Sequence, residues 1–143
     1  MRGRAVSHAD SPTPTPPPRS FLAFDFGTRR IGVATGNTLT RSATPLRTIA
    51  LDADARFDAI ARLIADWQPS ALVVGVPFHP DGAAHDNTER ARRFARQLHG
   101  RFRLVVHEVD ERYTTTEAAS GGARDLDAAS AAIILNQFLN PPE

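Results

Sequence analysis

The spacing of hydrophobic residues changes several times along the chain, and each change marks an element. Residues 21–26 (Phe-Leu-Ala-Phe-Asp-Phe) are a short apolar run ending at Gly27-Thr28, a strand entering a turn. Residues 30–36 alternate and predict a second strand, and the short Gly-containing connection favours an antiparallel hairpin. A third strand is expected at 45–50. Phe57, Ile60, Ala61, Ile64 and Ala65 then recur with helical spacing, giving an amphipathic helix that ends before Pro69. Residues 71–76 are continuously apolar, as in a central strand covered on both faces, and Pro77 stops them. Asp86 and Glu89 have the spacing of a capping box before a helix that buries Ala91, Phe94, Ala95 and Leu98. A strand at 103–109 runs into Asp110-Glu111. A short helix is expected around 115–120. A strong helix at 127–139 buries Ala128, Ala131, Ala132, Leu135, Phe138 and Leu139, with Asp127 as its cap or first-turn residue.

An antiparallel meander followed by strand–helix alternation predicts an α/β fold: a five-stranded mixed sheet, three antiparallel strands then two parallel, with helices on both faces. The folded domain is expected over 21–140. Residues 1–20 hold Pro12, Pro14, Pro16, Pro17 and Pro18 with little to bury, and predict a disordered proline-rich tail. The tail lacks the apolar core of an export signal. No apolar run reaches the roughly 20 residues of a membrane span, so no membrane partner is expected. The chain has no cysteine, which excludes disulfides and thiolate metal sites and fits a reducing compartment. All 17 basic residues are Arg. Guanidinium forks suit phosphate, although a GC-rich codon bias is the favoured explanation of the preference. The net charge of +1 adds little.

Asp25 is the first candidate for chemistry, because a carboxylate at the exit of an apolar strand is unfavourable unless something compensates it. The residue alone allows two readings, a metal ligand or a cap for the turn amides at 27–28. Asp110-Glu111 follows another strand, where α/β proteins gather ligands, and could equally be an acidic N-cap region. Asp127 suits a helix start on capping grounds alone, with Asp125 close by. Three carboxylates on three elements form a hard oxygen set suited to Mg²⁺ or Mn²⁺, which bind phosphates in their remaining positions and can drive attack of water on a phosphodiester. Arg90, Arg92, Arg93 and Arg96 on one helix could follow a nucleic-acid backbone, or be a solvated face. His79 and His85 lack the spacing of a helical zinc pair.

Together these motifs resemble a known family. The run 24–34 (Phe-Asp-Phe-Gly-Thr-Arg-Arg-Ile-Gly-Val-Ala) is similar to the opening of the pre-16S ribosomal RNA nucleases, also called Holliday-junction-resolvase-like proteins. Residues 73–77 with Asp81-Gly82, residues 110–115 (Asp-Glu-Arg-Tyr-Thr-Thr) and residues 127–135 resemble the family's later motifs, in the right order. The resemblance implies a ribonuclease-H-like fold and a cytoplasmic hydrolase that matures the 5′ end of pre-16S ribosomal RNA with Mg²⁺ or Mn²⁺. It makes Asp25, Glu111 and Asp127 the catalytic, metal-binding acids. Thr28, Arg29, Arg30, Arg112, Thr114 and Thr115 are then expected to meet substrate. That substrate would be structured RNA, with branched DNA as an alternative, and the chain a monomer or homodimer. Two other readings stay open. One is a nucleic-acid-binding or ribosome-assembly module that does not cut. The other is an actin-like phosphotransferase, whose first phosphate loop also holds an Asp-x-Gly-Thr like residues 25–28, although one domain and no Walker-type Gly-Lys-Ser/Thr argue against it.

Overall fold

The computed structural model describes residues 17–27, 29–50, 52–78, 81–83, 87–111 and 126–141. The proline-rich stretch up to residue 16 and the short helix expected around 115–120 lie outside them.

Five strands and three helices follow in the order β1 (Ser20–Phe26), β2 (Ile31–Asn37), β3 (Ala43–Ile49), α1 (Ala53–Trp67), β4 (Ala71–Val76), α2 (Thr88–Phe102), β5 (Val106–Asp110) and α3 (Leu126–Leu139). They form one sheet in the spatial order β3-β2-β1-β4-β5. β1, β2 and β3 pair antiparallel, whereas β4 lies parallel to β1 and β5 parallel to β4. The expected mixed sheet is therefore present. Its connectivity puts the carboxyl ends of β1, β3, β4 and β5 on one rim. Because α1 follows β3 and α2 follows β4, both helices start at that rim.

Strand alternation divides the core in two. Leu22 and Phe24 of β1 join Ile31, Val33, Leu72 and Val74 under α1 and α2, with Phe57, Ile60, Phe94 and Leu98 from the helices. Phe21 and Ala23 face the other way with Ala71 and Val73, and are covered by Ile134, Leu135 and Leu139 of α3. Phe94 ties the first layer together. Its ring centroid lies 6.0 Å from Phe24, 5.0 Å from Phe26 and 6.0 Å from Phe57.

Helix ends depart from expectation in two places. Asp86 lies outside the described residues, and the N-cap position of α2 is taken by Asn87, which makes no side-chain capping bond. The turn is held instead by the buried Thr88 hydroxyl, which donates to the Pro77 carbonyl. Residues 103–105 are not strand. α2 continues to Phe102 and is closed by Arg103 in the left-handed region (φ 57°), whose N–H bonds to the His99 carbonyl. β5 therefore begins only at Val106, and Val105 is left exposed. At the start of α1, Asp52 accepts a capping bond from the Ala55 N–H.

Phe94→Ala is expected to destabilise the fold by about 3–5 kcal/mol through the cavity left among three rings. A urea melt with a midpoint close to wild type would contradict this account of the core.

Candidate active site

The site grows from the last turn of β1. Asp25 lies on the α3 face, in step with Phe21 and Ala23. In the sheet register its neighbours are Gly32 on β2 and Gly75 on β4. Gly32 faces fixed backbone and is sterically required, whereas a side chain at Gly75 would displace the ends of Ile134 and Glu111. A Cβ at Gly75 would stand 2.9 Å from the Glu111 carboxyl carbon and 2.4 Å from Ile134 Cδ1. A Cβ at Gly32 would stand 1.8 Å from the Asp127 carbonyl oxygen. Clearing the two positions beside Asp25 thus lets Glu111 reach it from one side and the first turn of α3 settle on the other.

Glu111, one residue beyond β5, hydrogen-bonds the Asp25 carboxylate. Alternation explains why Glu111 does so rather than Asp110. Val109 faces α3 with Asp25, whereas Asp110 falls on the opposite side of the strand. Burial pushes the Asp25 carboxyl up to about 6; the bond from Glu111 opposes the rise and the charge of Asp127 adds to it. Burial also pushes Glu111 up to about 8, reinforced by the charge of Asp25, their hydrogen bond and the charge of Asp110. Near neutral pH, Glu111 therefore keeps its proton and donates it to an ionised Asp25.

Asp127 lies in the first turn of α3 rather than at its cap, close enough for its charge to act on Asp25. Its carboxylate is engaged by Arg30, with Nε 2.8 Å from Oδ2. Gly27, Arg29, Arg30 and Asp127 line an open pocket of about 260 Å³ beside the acid pair. Arg29 and Arg30 are both exposed there. Thr28, Arg112, Thr114, Thr115 and Asp125 lie outside the described residues. Among the described residues, no three His, Asp or Glu side chains stand close enough together to hold one ion. The structure thus joins Asp25 to Glu111 and sets Asp127 nearby in an ion pair. The roles of Gly32, Gly75 and the Arg30–Asp127 pair were not singled out from the residues. The readable signal was a glycine near the rim end of each strand flanking the acid-bearing one.

A five-stranded mixed sheet with an acid pair at the exit of its central strand, and helices on both faces, defines a ribonuclease-H-like α/β domain. Among solved structures, Thermus thermophilus RuvC in complex with a Holliday junction substrate superposes with a TM-score of 0.56, at 12% identity, over 85% of this chain and 93% of that one. The chain belongs to the RuvX family, described as Holliday junction resolvase, whose model matches residues 19–141. It is 68% identical over 121 residues to a pre-16S rRNA nuclease of Polaromonas sp., covering 85% of this chain and 88% of that protein. A protein of the same name from Paraburkholderia phytofirmans is 53% identical over 128 residues, covering 85% and 88%.

The protonation state of the pair has a measurable consequence. Both acids ionise at higher pH when folded than when unfolded, so their stabilising effect is complete below about pH 4 and is lost as pH rises through about 6 and 8. In EDTA, the difference in unfolding free energy between wild type and Asp25→Asn, from urea melts, should move against the wild type across that window, by an amount on the order of a few kcal/mol. Subtracting the variant cancels groups remote from the pair, while Asp110, Asp127 and Arg30 remain the charges that face it. A difference that does not change with pH would show that the two carboxyls do not share a proton.

Proposed function

We propose that this protein is a divalent-metal-dependent nuclease that hydrolyses phosphodiester bonds in maturing the 5′ end of pre-16S ribosomal RNA, in the cytoplasm. The observation that carries this is the half-buried Asp25–Glu111 pair at the rim of the sheet, in a chain 68% identical to a protein named for that activity. Two adjacent, half-buried acids favour a compensating cation. The donor set is all oxygen, which suits a small hard ion such as Mg²⁺ or Mn²⁺. Asp25 and Glu111 would hold it, with Asp127 as the third acid. Bound there, such an ion supplies a water of lowered pKa and neutralises charge on the scissile phosphate.

The remaining work falls to the chain's own groups. Arg29 and Arg30 would present guanidinium groups to the phosphate backbone near Asp127, and the family resemblance adds Thr28, Arg112, Thr114 and Thr115 as substrate-binding residues. The helices starting at the rim direct positive dipole ends toward the same phosphates. Among the described residues no helix is long and apolar enough to cross a membrane.

A second reading, cleavage of branched DNA, is favoured by the description of the family to which the chain belongs. It requires two opposed active sites and hence a homodimer, whereas trimming one RNA end needs only a monomer.

Asp25→Asn should lower Mg²⁺- or Mn²⁺-dependent cleavage of a precursor 16S fragment by at least about 100-fold while the fold is retained. Wild-type protein in EDTA should be equally inactive. Full activity in the purified variant would sink the assignment, and cleavage of a four-way DNA junction in preference to the RNA would select the second reading.

A further inference from the structure

On the face of the sheet opposite the acid pair, between α1 and α2, a second pocket opens on the same rim. Phe26, Arg56, Phe57, Arg90, Arg93 and Gln97 line a space of about 320 Å³, and none of them is acidic. Phe26 follows Asp25 directly, so their Cα atoms lie about 3.8 Å apart while their side chains point to opposite faces. The Phe26 ring is partly exposed, backed by Phe94 at 5.0 Å and flanked by the Arg56 guanidinium 5.8 Å from its centroid.

The arginines of α2 are divided in their use. Arg96 is bound to Glu89 at 2.8 Å and Arg92 to Glu108 at 3.4 Å. Arg90 is 3.3 Å from the neutral Asn87 side-chain oxygen and, like the exposed Arg93, forms no ion pair among the described residues. Arg101, at the far end of the helix, also forms none among them and lies over the Phe57 ring, 3.9 Å from its centroid. Of these three, Arg90 and Arg93 line the pocket. Unneutralised guanidinium groups beside an accessible aromatic ring suit a nucleotide whose base is not already stacked in a duplex, with the ring taking the base and the arginines the phosphates.

We propose that this pocket is a second nucleic-acid subsite, holding one unpaired nucleotide of the strand whose phosphodiester is presented to Asp25 and Glu111. The inference rests on the nuclease reading above. The strand crosses the end of β1, from the Arg29–Arg30 side over the acids to Arg90 and Arg93.

Binding of a short fluorescein-labelled single-stranded oligoribonucleotide to the full chain, followed by anisotropy in EDTA over a salt series, tests the subsite apart from catalysis. Arg90→Ala/Arg93→Ala should weaken binding about 10-fold and flatten the slope of log K against log salt by about 1.4, the value for two phosphate contacts on a single strand. Arg47→Ala/Arg62→Ala removes two exposed arginines elsewhere and should leave most of the affinity and slope intact. Phe26→Leu should weaken single-strand binding but not binding of a blunt duplex. Equal losses in the two arginine pairs, or no loss in the pocket pair, would overturn the subsite. So would displacement of the oligonucleotide by free AMP at matched nucleotide concentration, which would indicate a mononucleotide pocket. These results leave the nuclease reading standing, because it is judged by Asp25-dependent cleavage in Mg²⁺. Failure of wild type to cut in Mg²⁺ would overturn both, whereas failure to bind the strand while cleavage persists would overturn the subsite alone.

Discussion

Two carboxyl groups meet at the rim of this sheet where the strands on either side of one of them carry no side chains. Gly32 and Gly75 flank Asp25 in register, and each would bring an added Cβ against a neighbour at less than van der Waals distance. The consequence runs in two directions. At Gly75 the freed space admits Glu111. At Gly32 it admits the backbone of α3, which then seals the second half of the core with Ile134, Leu135 and Leu139. The same small residues therefore shape the site and seat the helix, so local chemistry and global packing share one requirement.

Topology does the rest. A parallel β1, β4 and β5, with β3 running the same way, collects the strand ends and the starts of α1 and α2 on one rim. Half-buried acids, helix N-termini and the arginines of the 27–30 turn and of α2 are thereby brought together from segments far apart in the chain. Each face of β1 contributes differently, the carboxylate of Asp25 toward α3 and the ring of Phe26 toward α1 and α2. A substrate strand laid over that rim would meet oxygen donors on one side and cations with an aromatic ring on the other.

Most of the architecture was legible in the residues, because period-two and helical spacing are local signals that this chain states clearly. Asp25 stood out for the same reason, as a charge in an apolar run. Glu111 over Asp110 was legible through family resemblance, and strand alternation now supplies its physical reason. What escaped were features that depend on pairing partners. The strand expected at 103–109 starts late because a non-glycine residue, Arg103, takes the left-handed conformation that closes α2, a choice set by tertiary context. The N-cap position of α2 falls on Asn87, and the Thr88–Pro77 bond that holds the turn there links residues 11 apart in the chain. Gly32, Gly75 and the Arg30–Asp127 pair acquire meaning only once register places them beside Asp25.

The charges of the site also bear on how the protein comes to exist. A metalloprotein whose ligands repel one another in the ion's absence folds only as it loads, and its abundance follows metal supply. Here the proton shared by Asp25 and Glu111 and the guanidinium of Arg30 on Asp127 each cancel part of the negative charge from within the chain. Part of the site's negative charge is thus offset from within the chain, by a proton and by a guanidinium that both belong to it.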